Sequence, residues 1–265
     1  MIPKAYIDAW RQTAPWPQDA QVEQDLVISR ALVQLFFHSL LRDHLAFRGG
    51  TALHKLFLHP QARYSEDIDL VQLKEGPIKP ILNAIRDQLL FLGGKDDRQV
   101  KQAEHNWTVF YDFETEQPPP ARMKLKIEIN TREHRNILDL NGQPFSVDSR
   151  WYSGKTDIIT YQPEELLGTK LRALYQRKKG RDLFDLHHAL LHLKPDTEKI
   201  IRCFREYMEE NDNKPPTARE FELNMEEKMD DREFTGDITA LLRPAVSYDQ
   251  DEAYQHIYNT LIQHI

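Results

Sequence analysis

Two aspartates one residue apart, Asp67 and Asp69, stand in the stretch Asp67-Ile68-Asp69-Leu70-Val71. On a β-strand, side chains at i and i+2 share a face. The two carboxylates then lie side by side, while Ile68 and Leu70 turn to the core. Carboxylates that close repel unless a proton or a cation sits between them. A pair of Mg²⁺ (or Mn²⁺) ions relieves the repulsion, and such ions, held by hard oxygen ligands, suit phosphoryl chemistry on a triphosphate. The plain alternative is a strand end with two solvated aspartates.

Upstream, Leu45-Ala46-Phe47 reads as a short strand, broken by Arg48-Gly49-Gly50, and Thr51 to Phe57 reads as a helix. A glycine pair before a helix lets the backbone approach a ligand closely. The helix N-terminus then offers free N–H groups to a phosphate. Gly49, Gly50 and Thr51 are thus nucleotide-binding candidates, an ordinary glycine turn being the alternative; Ser65 joins them through the family resemblance given below. The order strand, Gly-Gly, helix, loop, Asp-x-Asp strand is similar to the layout of the polymerase-β-like nucleotidyltransferase core.

The elements that must hold these residues follow from periodicity. Apolar positions from Val22 to Leu41 predict one long amphipathic helix. Residues 1–19 carry Pro3, Pro15 and Pro17 and read as surface chain. Ile78 to Leu92 reads as a helix ending on Gly93-Gly94. Trp107 to Phe113 and Met123 to Ile129 read as a strand pair joined across Pro118-Pro119-Pro120. After Tyr161 the pattern turns helical: Pro163 to Arg177, Arg181 to Leu191, a region around Ile200 to Glu210, and Asp251 to Ile262. The expected fold is α+β: a polymerase-β-like core with a small mixed sheet over residues 1–160, followed by an all-helical domain over residues 161–265.

Phe47-Arg48-Gly49-Gly50-Thr51-Ala52-Leu53, followed by Arg63-x-Ser65-x-Asp67-Ile68-Asp69-Leu70, resembles the first motif of the AbiEii/AbiGii-type nucleotidyltransferase toxins, to which the MenT toxins are related. The resemblance resumes around Ile127-Glu128-Ile129 and again from Glu164 to His188.

The resemblance implies roles for further residues. Polymerase-β-like enzymes carry a third carboxylate on a neighbouring strand, and Glu128 is the candidate third metal ligand; water is the other destination of its face. Lys170 shares a helix face with Leu166, Leu167 and Leu174 and so interrupts an apolar stripe. Burying a lysine is costly without a partner. A nucleotide phosphate is one explanation, and snorkelling along its own stem is the other. Glu165-Leu166-Leu167-x-x-Lys170-Leu171-x-Ala173-Leu174 is similar to the family's lysine motif. Gly180 reads as the end of that helix. Arg181-Asp182-x-x-Asp185 is similar to its last motif, which implies a catalytic or nucleotide-contacting role for Asp182, supported by Asp185; helix-dipole stabilisation of an acidic first turn is the alternative. Arg172, Arg177, Lys178, Lys179 and Arg181 concentrate positive charge. They form either a solvated face or a grip on an RNA backbone.

Bulk properties bound these readings. The 265 residues are 40% hydrophobic and 10% aromatic, so the chain can bury a real core. A net charge of −7 disfavours a non-specific nucleic-acid coat. Cys203, the single cysteine, excludes an intramolecular disulfide; with no signal peptide read at the start, cytoplasmic residence is expected. The most apolar stretch, Ala31 to Leu41, is too short to cross a membrane and is interrupted by Gln34 and His38. The histidines, including His187-His188, show no metal-ligand spacing, and no G-x-S-x-G elbow, Walker loop or zinc pattern is present.

The expected activity is transfer of a nucleoside monophosphate from a nucleoside triphosphate to a hydroxyl. The resemblance implies tRNA or another RNA as acceptor, a toxin or phage-defence role, and an antitoxin encoded nearby. The competing readings are an antibiotic-type transferase with a small acceptor and a catalytically silent binding module on the same fold.

Overall fold

The long apolar-periodic stretch folds as two helices. Helix α2 (Asp19–Phe37) stops at His38, whose extended backbone (ψ 119°) separates it from α3 (Ser39–His44). The expected single helix to Leu41 is therefore broken one turn early, so that the chain can swing into β1 (Leu45–Arg48). The first residues are not a loose surface segment either. They form α1 (Lys4–Trp10), and Ile2, Ile7, Trp10 and Trp16 are all buried. The prolines limit the helix, but the aromatic and aliphatic residues between them decide burial. The computed structural model describes residues 2–94, 97–116, 119–209 and 214–265. Glu210, the predicted end of one helix, and Pro118 of the proline run lie outside them.

The chain divides into two compact units, Met1–Tyr161 and Gln162–Ile265. In the first, α4 (Gly49–Leu56), β2 (Asp67–Gln72) and α5 (Ile78–Gln88) follow β1. Then come β3 (Arg98–Gln102), β4 (Asn106–Glu114), β5 (Arg122–Asn130), β6 (Asn141–Asp148) and β7 (Ser153–Thr160). They make a seven-stranded sheet in the order β3-β4-β5-β2-β1-β7-β6. β2 pairs parallel with β5 and antiparallel with β1, while β1 pairs parallel with β7. This mixed sheet is larger than the small one expected. The carboxylate strand runs through its middle, braced on both sides.

A buried ionic hub fixes the helices behind that strand. Asp25 of α2 accepts hydrogen bonds from Lys55 Nζ (2.8 Å), Gln61 Nε2 (3.1 Å) and Trp10 Nε1 (3.0 Å). Lys55 also donates to Ser29 Oγ at 3.1 Å. Burial alone would raise the Asp25 carboxyl, but Lys55 and these donors hold it below its ordinary value. One carboxylate thus ties together α1, α2, α4 and the loop leading to β2.

The helices of the second unit are α6 (Pro163–Gln176), α7 (Gly180–Leu193), α8 (Thr197–Met208), α9 (Ala218–Met229), α10 (Arg232–Gly236) and α11 (Gln250–Thr260), and no strand of several residues forms among its described residues. Its core is Leu167, Leu171 and Leu174 of α6 with Leu183 and Phe184 of α7, Phe204 of α8 and Phe221 of α9. Gly168 brings α6 and α8 together, since a Cβ there would lie 2.6 Å from that of Cys203. Gly180 does not end α6. It opens α7, where a Cβ would collide with the carbonyl oxygen of Phe234 at 2.2 Å.

Candidate active site

The site in the first unit is built on strand register. Arg48 of β1 lies opposite Asp69, and on the other side β5 places Lys126 opposite Asp67 and Glu128 opposite Asp69. Paired residues on neighbouring strands share a sheet face. Asp67, Asp69, Lys126, Glu128 and Arg48 therefore gather on one face. Ile68, Ile127 and Ile129 are buried on the other.

The glycine turn closes directly over this face. Gly49 has a φ of +82°, a left-handed conformation that glycine adopts without strain. A Cβ at Gly49 would stand 2.2 Å from Asp69 Oδ2. The bare backbone at the start of α4 thus touches the carboxylate. The N-cap residue Arg48 supplies no side-chain acceptor to this helix, whose first N–H groups have no partner within the helix itself. Buried Thr51 of α4 and Ser65 exchange a hydrogen bond at 2.7 Å, which fixes the loop preceding β2 against the turn. Arg48 is anchored by Glu133 at 2.5 Å.

Charge on this face is unbalanced. Burial raises the Asp69 carboxyl, the negative charge of Asp67 raises it further, and Arg48 only partly compensates. Lys126 Nζ contacts Glu128 at 2.8 Å and Asp67 at 3.7 Å. Burial works against its charge, but Glu128 and Asp67 keep the ammonium above its ordinary value. Two adjacent hard-oxygen donors, one of them destabilised by the other, fit a divalent cation of the Mg²⁺ class. Asp67 and Asp69 are the residues that would hold it. Glu128 shares the face but is engaged by Lys126, and among the described residues no three acidic, histidine or cysteine side chains converge as a ready metal cage.

In the second unit, Lys170 neither snorkels nor lacks a partner. It is buried between Asp182 (2.9 Å) and Asp185 (2.8 Å), both fully inaccessible. Arg177 adds two hydrogen bonds to Asp182, from Nε at 2.7 Å and Nη2 at 2.8 Å. Burial pushes the Asp182 carboxyl up, and Lys170 with Arg177 overcomes this and holds it below its ordinary value. Asp182 in the first turn of α7 and Asp185 one turn on therefore face a lysine, and no side chain caps the helix. The remaining cations are also engaged. Lys178 reaches Asp231 at 3.1 Å, Lys179 reaches Glu233 at 3.1 Å, and Arg181 reaches Asp237 at 3.5 Å. Arg172 donates to the Tyr207 carbonyl and lies over its ring.

The sequence matches the nucleotidyl transferase AbiEii toxin family, of type IV toxin–antitoxin systems, over residues 30–260. The chain belongs to this family. The matched AbiEii region takes in the glycine turn, the Asp-x-Asp strand, Glu128 and the Lys170 cluster. Among solved structures, the MenT4 nucleotidyltransferase toxin Rv2826c from Mycobacterium tuberculosis H37Rv superposes with a TM-score of 0.69 at 15% identity, covering 100% of this chain and 91% of that one. The two share the fold. A nucleotidyltransferase-like antigenic protein from Paracoccidioides brasiliensis aligns with a TM-score of 0.41 at 17% identity, covering 82% and 94% of the two chains. No curated protein matches significantly.

Within each unit the structure places further charged residues that sequence reasoning passed over. Lys126 had a visible signal, because it stands two residues before Glu128 in a cleanly alternating strand. Arg48 lies inside the first motif but reads there as a turn residue. Lys228 had no such signal. It is buried in α9 and donates to the carbonyls of Leu174 and Tyr175, closing the end of α6, and burial depresses its pKa to about 8.

Proposed function

We propose that this AbiEii-family chain moves a nucleoside monophosphate from a nucleoside triphosphate to a hydroxyl acceptor, using a divalent cation held by Asp67 and Asp69. The observation that carries the reading is the contact of Gly49 with Asp69. It makes a cation-binding carboxylate and an anion-binding helix N-terminus immediate neighbours, as a metal–triphosphate complex requires. The bound cation would neutralise charge building on the phosphates and orient the attacking oxygen. The N–H groups at Gly49 and Gly50 hold phosphate oxygens, and Ser65, fixed by Thr51, offers a hydroxyl beside them. The acceptor oxygen bonds to the α-phosphorus as the α–β bridging bond breaks. Pyrophosphate leaves with the electron pair, and a carboxylate of the face takes the hydroxyl proton. Lys170, paired with Asp182 and Asp185 in the second unit, keeps the nucleotide-binding role that the family's lysine motif implies.

For a toxin, an RNA such as tRNA is the acceptor class we favour, with an antitoxin as its partner and the cytoplasm as its setting. No described helix is long and apolar enough to cross a membrane. One observation favours a small hydroxyl acceptor instead: the cations expected to grip RNA are engaged with groups of their own unit.

The test is incubation with each labelled nucleoside triphosphate, Mg²⁺ and total RNA, followed by a gel. Labelled RNA is expected. Asp67→Asn and Asp69→Asn should each lower the rate by at least about 100-fold while the fold is retained. Label appearing only on small hydroxyl compounds supports the second acceptor class, and no labelled product from any triphosphate overturns the proposal.

A further inference from the structure

We propose that Lys126 is a built-in placeholder for the divalent cation: its ammonium occupies the carboxylate face in the metal-free protein, withdraws when the ion arrives, and so sets the affinity of the site. This rests on the assignment of Asp67 and Asp69 as cation ligands.

The placement is dictated by register. β5 runs parallel to β2, so Lys126 falls opposite Asp67 and Glu128 opposite Asp69. The face then holds three carboxylates. Arg48, the other cation paired into it, is ion-paired with Glu133 at 2.5 Å. Lys126 is left as the ammonium among them, 2.8 Å from Glu128 and 3.7 Å from Asp67. Carboxylate oxygens that accept from an ammonium offer the same lone pairs that a hard cation takes at about 2.0–2.1 Å. The engagement of Glu128 by Lys126 also explains why the three acids do not converge into a ready cage.

The lysine is built to leave. Its side chain is 33% exposed, whereas the structural lysines Lys55 and Lys170 are 3% and 8% exposed and locked among several partners. A four-carbon stem at a partly open face can swing outward with little loss of packing. A divalent ion at Asp67 and Asp69 would repel the ammonium and compete for its oxygens, so binding must displace it. Removing the ammonium should then favour the metal.

The experiment is Mn²⁺ titration of the full-length chain without nucleotide, by electron paramagnetic resonance, on wild type, Lys126→Gln, Lys126→Met and Asp69→Asn. Both lysine variants should bind Mn²⁺ on the order of tenfold more tightly, the effect of removing one like charge a few ångströms from a divalent ion in a water-like dielectric. Their melting temperatures should fall below wild type without metal and rise further than wild type when Mn²⁺ is added. Asp69→Asn should lose the binding. If wild type binds Mn²⁺ in an Asp69-dependent way and the lysine variants bind equally or more weakly, the placeholder role is overturned and the cation site stands. If none of the proteins binds Mn²⁺, or Asp69→Asn binds as wild type does, the cation assignment fails and takes the placeholder with it.

Discussion

Asp69 sits mid-strand between Arg48 and Glu128, with Asp67 on the same face and Gly49 against its carboxylate. Its raised pKa means that the folded chain holds the carboxyl proton more tightly than the unfolded chain does. Stability is therefore lost as pH rises from the ordinary carboxylate value through the folded one, and the cost is fully present at neutral pH. Without divalent metal, Asp69→Asn should raise the melting temperature at pH 7 by roughly a few degrees. That gain should shrink toward pH 4, and added Mg²⁺ should stabilise wild type alone. A lower melting temperature for the variant at pH 7 would remove the charge argument. Lys170 behaves in the opposite way. Its position in an apolar stripe predicts a charge better replaced by methionine, but the structure supplies Asp182 and Asp185 as partners. Lys170→Met should cost about 3–5 kcal/mol in urea unfolding, because it strands buried carboxylates. Asp182 is held below its ordinary pKa, so its contribution is present above about pH 4 and is lost as pH falls through the folded value. The gap between variant and wild type should narrow in that acid range. The sequence marked Lys170 and both aspartates as special, but periodicity within one helix cannot show that the partner of a lysine lies on the next helix.

At the scale of elements, the glycine turn and the helix it opens carry the site. Gly49→Ala places a methyl group on a carboxylate and forces alanine to a φ of +82°. It should lose activity and more than about 1 kcal/mol of stability. Gly94→Ala, where nothing among the described residues lies within 4 Å, should be near neutral and serves as the control. Behind the turn, Lys55→Met should cost about 3–5 kcal/mol by leaving Asp25 without its cation. Equilibrium unfolding measures all three, and a neutral Lys55→Met would show that α4 is held by apolar packing alone. The strands that bear the site were legible because isoleucine and leucine alternate with acids in β2 and with lysines and Glu128 in β5. β3 (Arg98–Gln102) and the β6–β7 hairpin were not. Most of their residues are polar and exposed or half-buried, so hydrophobic alternation, the signal of a half-buried strand, is nearly absent. His38 escaped notice for a related reason, since apolar spacing continues across the break between α2 and α3.

For the whole molecule, the proposed RNA acceptor must meet a chain of net charge −7. The change from mixed sheet to helices near residue 160 is plain in the sequence, and so is the basic run after Lys170. The acids that answer that run are not plain, because Asp231, Glu233 and Asp237 come some fifty residues later. Five free cations on phosphates would give a log–log dependence of RNA affinity on salt of about −3.5 to −4.5, at 0.7–0.9 per neutralised phosphate. Here Arg177 is bidentate to buried Asp182, and Lys178, Lys179 and Arg181 face those three acids, so each phosphate contact must displace an existing partner. The expected slope for wild type is therefore shallower than about −2. Replacing the acids, as in the triple variant Asp231→Asn, Glu233→Gln, Asp237→Asn, should release Lys178, Lys179 and Arg181 and steepen the slope by about two units or more. Exposed ion pairs are individually weak. A wild-type slope already near −4 would mean that RNA phosphates displace the acids at negligible cost, and that the basic run is an open binding surface.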